Sequence, residues 1–240
     1  MDAGVVAVLA TTLVLAATVQ GLVGLGLALV TAPVVTLLEP QLMPEFMLWL
    51  GMMMPAVTLM REHHEIDWRG LGWSLPLRIV GTYFGVLLVA TFPPAGLGIA
   101  VGVMVLLSVL LTVRAVEIPV NTGTLATAGF ISGVTGTATS IGGPPMAVLY
   151  QHRPPHQIRS TLGVFFILGA ALSLIGLGLA GELEATTFYL ALAMVPALVI
   201  GFLVSRFLNR RVPHHQIRTG VLLVSGLSAV VVLVRSLVTL

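Results

Sequence analysis

The stretch ISGVTGTATSIGGPPMAVLY, residues 131–150, decides how this chain folds. It carries no charge, yet it contains four glycines, two adjacent prolines and several hydroxyl-bearing side chains. Glycine weakens a helix and permits sharp reversals of the chain, and Pro144 and Pro145 prevent a helix from continuing through them. The stretch therefore predicts a helix break inside a chain that is otherwise apolar.

The rest of the chain has the composition of a membrane protein. Of its 240 residues, 57% are hydrophobic and only 8% are charged, whereas a soluble domain carries about 25% charged residues. A membrane-spanning helix needs roughly 20 apolar residues, and apolar runs fill most of the chain. We predict an all-α integral membrane protein embedded in the lipid bilayer. The runs cover residues 4–38, 45–60, 70–92, 96–113, 122–150, 161–180, 186–205 and 219–239.

Several classes of function are disfavoured. The chain has no cysteine, so disulfides and thiolate chemistry are excluded. Its basic residues are all arginines, most of them in short loops, which is typical of membrane orientation and not of nucleic-acid binding. The pairs His63–His64 and His214–His215 lack the spacing of metal ligands, so neither a metal nor a cofactor is predicted. No histidine or carboxylate lies in the middle of a run to serve as a catalytic base, so we do not expect an enzyme.

The sequence divides into two similar halves, residues 1–120 and 121–240. Three positions recur 120 residues later, namely Pro76 as Pro196, Gly81 as Gly201 and Pro93 as Pro213. Three more match with an offset of 112, namely Gly21 with Gly133, Gly24 with Gly136 and Pro33 with Pro145. The consistent order of the matches predicts one membrane domain built from two four-segment repeats.

The arginines predict the topology. Nine of the eleven lie in the loops 61–69, 114–121, 151–159 and 206–218. If all eight runs cross the membrane, these loops fall on both sides, against the positive-inside rule. If the first and fifth runs are re-entrant, all four loops are cytoplasmic and both termini are external. We therefore predict two inverted repeats, each a broken, re-entrant helical hairpin followed by three transmembrane helices. Full crossing by the first and fifth runs is the alternative.

The two helix breaks predict an anion-binding site near the membrane midplane. A break exposes helix N-termini, whose N–H groups and positive dipole end attract anions. Small residues can also serve helix packing alone, which is the alternative for each break. The candidate substrate-binding residues are Gln20, Gly21, Gly24 and Gly26 in the first half, and Ser132, Gly133, Thr135, Gly136, Thr137, Thr139, Ser140, Gly142 and Gly143 in the second.

Arg78 is the one charge well inside a predicted crossing. An ionisable residue at membrane depth is a functional candidate, and a guanidinium binds oxyanions through charge-assisted hydrogen bonds. We include Arg78 in the predicted substrate site. The alternative is that its side chain reaches the cytoplasmic boundary or caps the carbonyls of a broken helix.

The paired motifs GLVGLGLALVTAP (21–33) and ISGVTGTATSIGGPP (131–145) resemble those of the TauE/SafE sulfite exporter family. The resemblance covers essentially the whole chain. It implies transport of sulfite or a related small sulfur-containing anion, mainly outward, across the bacterial cytoplasmic membrane. The expected mechanism is alternating access, with the two halves rocking around the midplane site. A homodimer is possible, and the alternatives are transport of another small anion or a membrane assembly subunit that transports nothing.

Overall fold

A computed structural model of the chain describes residues 2–23, 27–59, 65–113, 118–208 and 214–238. These residues form α-helices and one short 3₁₀ turn, with no strand among them, so the predicted all-α class is confirmed. The helices are α1 (Ala3–Val23), α2 (Leu27–Leu38), α3 (Glu45–Leu59), α4 (Trp68–Thr91), α5 (Pro94–Val113), α6 (Thr122–Thr139), α7 (Gly143–Tyr150), α8 (Pro155–Ala180), α9 (Ala185–Ala193), α10 (Val195–Leu208) and α11 (His214–Val238).

Six helical segments are long and apolar enough to cross a membrane: α1, α4, α5, α8, α9 with α10, and α11. The predicted crossing at 45–60 contains α3, which is described over Glu45–Leu59. The predicted run 186–205 consists of two helices that meet at Met194. The structure thus supports a multi-pass membrane protein, in which α9 and α10 together form one span, Ala185–Leu208.

The predicted helix break in the second half is confirmed. Helix α6 ends at Thr139, and Ser140 follows with a φ of 60°, a left-handed conformation that turns the chain away from the helix axis. Helix α7 then begins at Gly143. In the first half, α1 ends at Val23 and α2 begins at Leu27, while Gly24 and Gly26 lie outside the described residues.

Helices α4 and α6 contact each other backbone to backbone. A Cβ atom at Gly81 would lie 2.1 Å from the carbonyl oxygen of Phe130, and one at Gly129 would lie 2.0 Å from that of Ser74. Any side chain at these glycines would push the helices apart. The two helices run parallel, because Gly129 lies beside Ser74 near their beginnings and Thr137 lies beside Gly85 near their ends.

Helices α1 and α10 form a contact of the same kind. A Cβ atom at Gly201 would lie 2.4 Å from the carbonyl oxygen of Val14, and one at Gly21 would lie 2.1 Å from Oγ of Ser205. The hydroxyl of Thr18 donates a hydrogen bond to the carbonyl oxygen of Gly201 at 3.0 Å. These pairings show that α1 and α10 also run parallel.

Helix α8 has α4 on one side and α3 on another. It runs parallel to α4, since the Asp67 N–H donates to Oγ1 of Thr161 at the beginning of both helices and Gly176 lies beside Thr82 further along. It runs antiparallel to α3. Leu59, at the end of α3, lies beside Gly163 near the beginning of α8. Glu45, at the beginning of α3, accepts a hydrogen bond from the N–H of Glu184, which follows the end of α8.

Asp67 connects the beginning of α4 to α7 through two hydrogen bonds. One carboxylate oxygen accepts the Gly70 N–H at 2.8 Å and so caps the helix, and the other accepts the Tyr150 hydroxyl at 2.8 Å. Burial of the phenol and this hydrogen bond both raise the pKa of Tyr150 above its ordinary value, so the hydroxyl stays protonated and donates. Both carboxylate oxygens of Asp67 are therefore in use.

We expect Tyr150→Phe to lower the free energy of unfolding by about 2 kcal/mol, because the half-buried Asp67 carboxylate loses a hydrogen-bond donor. Tyr150 is fully buried, so the phenyl ring still fills its space. The matched control is Tyr189→Phe, whose phenol is 66% exposed, and which should change stability little. Thermal unfolding of the detergent-purified variants measures both; equal effects at the two positions would argue against the Asp67 hydrogen bond.

Candidate functional site

Arg78 lies in the middle of a helix long enough to span the membrane. It comes ten residues after Trp68, the first residue of α4, and thirteen before Thr91, the last. At 1.5 Å per residue, it is about 15 Å from the beginning of the helix. Only 3% of its surface is exposed, so it does not reach the boundary as the alternative interpretation required.

The guanidinium of Arg78 is connected to the helix break in the second half. Its Nη1 donates to Oγ of Ser132 on α6 at 2.8 Å, and this hydroxyl donates in turn to the carbonyl oxygen of Gly142 in the break. On another side, Cζ of Arg78 lies 4.3 Å from the ring centroid of Phe165 on α8, a cation–π contact. Arg78 thus links the break to α4 and α8.

Two glycines leave the space that the guanidinium fills. A Cβ atom at Gly169 on α8 would lie 1.9 Å from Cζ of Arg78, and one at Gly136 on α6 would lie 3.3 Å from Nη2. A larger residue at position 169 would collide with the flat face of the guanidinium. The glycines on α6 and α8 therefore determine where this charge stands.

The charge of Arg78 is not neutralised within the described part of the chain. The ion pair found there, between His156 and Glu65, lies on the surface and away from Arg78. Among the described residues, Nε of Arg78 has no hydrogen-bond partner, and neither has Oγ1 of Thr82, one helical turn further along α4. An unpaired buried cation is costly, and an arriving oxyanion would both neutralise it and accept its free N–H.

The hydroxyl groups predicted to bind the anion already donate their protons elsewhere. Those of Thr135 and Thr139 donate to carbonyl oxygens one turn earlier in α6, and that of Ser140 donates to the carbonyl of Pro44. Thr137 donates to Ser173 on α8 at 2.7 Å, because the Ser173 proton is used on the carbonyl of Gly169. As arranged, these groups offer an anion no free proton, which leaves Arg78 as the principal donor.

The N-terminus of α7 also offers fewer donors than expected from a helix break. Gly142 caps this helix and Gly143 begins it, but the next two residues are Pro144 and Pro145, which have no backbone N–H. In the first half, Oε1 of Gln20 accepts the N–H of Leu27 at 3.1 Å and so caps α2. The prediction that exposed N–H groups at both breaks attract the anion is weakened by these two features.

The structure brings together only part of the predicted site. Ser132, Gly136 and Gly142 lie around Arg78, and Gly133 contacts the Arg78 backbone. Gly143 lies against the ring of Phe166, and Gly21 packs on α10.

Three residues of α8 near Arg78 were not predicted from the sequence, although they recur every four positions and so share one helix face. They are Phe165, Gly169 and Ser173, and the small-xxx-small spacing of the last two was the available signal.

A cavity of about 300 Å³ opens beside the beginnings of α4 and α6. Arg69, Trp73, Asn121 and Arg153 are among its lining residues, and the Asp67 carboxylate there is already used in two hydrogen bonds. The cavity therefore has an excess of positive charge. Within the described part of the chain, no three His, Asp or Glu residues come close enough together to hold a metal ion.

Fold and site together define a multi-pass membrane protein with a single buried cation among the described residues of its core. The family model described as Sulfite exporter TauE/SafE matches residues 9–232, and the chain belongs to this family. No curated protein and no solved structure matches the chain. The members of the family are membrane transporters, not enzymes, so family membership implies a small anion as the substrate.

Proposed function

We propose that the chain exports sulfite or a related small organosulfur anion by alternating access, with Arg78 as the group that binds the anion. The observation that carries this proposal is the burial of Arg78 at mid-helix with no carboxylate partner among the described residues. A guanidinium can hold two oxygens of a sulfite or sulfonate group at once. Ser132, which itself donates to the carbonyl oxygen of Gly142, holds the guanidinium beside the α6–α7 break.

The packing directions support a re-entrant hairpin in the second half. Helices α4, α6 and α8 run parallel, so all three begin on the same side of the membrane. Between α6 and α8 lie only α7 and short loops. The α6–α7 segment therefore enters and leaves on one side, which the arginines of the loop 151–159 indicate to be the cytoplasmic side.

The first half has the opposite arrangement. Helix α3 is antiparallel to α8. The α9–α10 span is also antiparallel to α8, because it follows α8 directly after a tight turn at Gly181. Since α1 is parallel to α10, α1 and α3 begin on the same side, opposite to α8. The α1–α2 segment is then re-entrant from the external face. This supports two inverted repeats, residues 1–120 and 121–240.

The cavity beside the beginnings of α4 and α6 fits an approach from the cytoplasm. The cavity lies at the beginning of α4, and Arg78 is about 15 Å further along this helix. Arg69 and Arg153 at its wall would raise the local concentration of anions. We propose that substrate gathers there before it reaches the buried guanidinium.

The test is thermal unfolding of the detergent-purified protein in the presence of single sodium salts. A ligand at 100 times its dissociation constant stabilises the folded state by about 2.7 kcal/mol. We expect sulfite or methanesulfonate to raise the melting temperature and chloride at equal ionic strength to leave it unchanged. A well-folded protein that responds to no anion would overturn the proposal and favour the assembly-subunit alternative.

A further inference from the structure

We infer that the species carried past Arg78 is a monoanion, such as hydrogensulfite or a simple sulfonate, and that dianions of the same size are carried far more slowly. This inference rests on the proposed function and concerns the charge of the substrate at the same site. The observation behind it is that the described helices around Arg78 contribute one positive charge and no negative charge at that depth.

The charge count follows from the helices packed against Arg78. Helices α6 and α7 contain no charged or titratable residue except Tyr150 at the end of α7. The titratable residues of α8 are His156 and Arg159, both within its first five positions. On α4 the other charge is Arg69, the second residue of the helix. The groups in contact with the guanidinium itself, Ser132 and Phe165, do not titrate.

The charge of the substrate then decides the energy of the occupied site. A monoanion and Arg78 together are neutral, so the occupied site carries no net charge into the low-dielectric interior. A dianion leaves one uncompensated negative charge at mid-membrane, where a single charge is strongly disfavoured. The hydroxyls of α6 do not compensate, because their protons are already donated to backbone carbonyls and to Ser173. At equal concentration, the dianion should be carried about 100-fold more slowly.

For sulfite, the carried form is hydrogensulfite, the singly protonated anion. The proton then crosses on the substrate itself, bound to it before entry and released after exit. No aspartate, glutamate or histidine relay is needed, in keeping with the lack of such residues in the middle of the apolar runs.

Methanesulfonate and sulfate provide the matched pair of probes. They have nearly the same size and shape, since a methyl group in one replaces an oxygen in the other, but they carry one and two charges. Uptake of each into proteoliposomes is measured at one pH, with the membrane potential clamped at zero. We expect methanesulfonate to be taken up about 100-fold faster at low concentration. Equal uptake, or faster uptake of sulfate, would overturn the inference and leave the proposed function intact, whereas uptake of neither by a folded protein would overturn both.

A variant that keeps the charge and a pH series of sulfite uptake test the inference further. Arg78→Lys keeps one positive charge in another shape, so the preference for methanesulfonate should remain even if both rates fall; a lost preference would place the selectivity elsewhere. Uptake of sulfite at fixed total concentration should rise as the pH falls from 8 to 6, in proportion to hydrogensulfite, while methanesulfonate uptake stays constant. Sulfite uptake that rises with pH would contradict the inference.

Discussion

Arg78→Gln should lower anion uptake into proteoliposomes by about 100-fold or more, because the site loses its charge and its bidentate donor. Glutamine is uncharged, and its amide group ends near the position of the arginine Nε, so the hydrogen bond from Nη1 to Ser132 is also lost. Replacement of a buried, unneutralised charge by a neutral group is often tolerated by the fold. We therefore expect the free energy of unfolding to change by less than about 2 kcal/mol.

The same substitution at Arg206 is the control, because Arg206 is exposed in the last turn of α10 and lies outside the proposed site. Arg206→Gln should keep uptake close to that of the unsubstituted protein. Both variants are measured at equal amounts of folded protein, determined by size-exclusion chromatography. Normal uptake by folded Arg78→Gln would show that Arg78 does not bind the substrate. An unfolded Arg78→Gln beside a normal Arg206→Gln would show that the fold depends on Arg78.

Gly81→Ala should destabilise the protein by about 3 kcal/mol. The added methyl group would lie 2.1 Å from the carbonyl oxygen of Phe130 and 3.0 Å from the backbone N of Val134. Backbone atoms cannot rotate away as the end of a long side chain can, so α4 and α6 must separate along their contact. The fraction of folded protein as a function of temperature measures the loss.

Gly72 provides a control on the same helix. No atom lies within 4 Å of the Cβ position there, so Gly72→Ala should be neutral or stabilising by up to about 1 kcal/mol through helix propensity. The comparison separates the effect of close packing from the general effect of removing a glycine from α4. If both substitutions shift the melting temperature equally, the backbone contact at Gly81 is not what holds α4 against α6.

Local features of the structure could be predicted from the sequence where composition alone determines them. The run of glycines and prolines predicted a break, and α6 ends at Thr139 and α7 begins at Gly143 as expected. The charge of Arg78 inside an apolar run identified the centre of the candidate site. Both features depend only on residues close together along the chain.

Features that depend on neighbours in space could not be predicted. The hydroxyl of Ser140, predicted to bind the anion, donates to the carbonyl oxygen of Pro44, which lies 96 residues away along the chain. Gly169 touches Arg78 only because α8 packs on α4. The 112-residue match paired glycines with different roles, since Gly21 packs on α10 whereas Gly133 packs on α4.

The glycine contacts determine which parts of the protein can move as rigid bodies. Helix α4 of the first half of the chain packs on α6 of the second, and α1 of the first half packs on α10 of the second. Rocking of one half against the other, the motion that the sequence predicts, would have to separate both contacts. We expect α4, α6, α7 and α8, which share one apolar cluster, to move as one body against a second body that contains α1, α2 and α10. In such a motion Arg78, Ser132 and Gly142 would stay together, as their hydrogen bonds lie within the first body, and access to the proposed site would change at the surface between the two bodies.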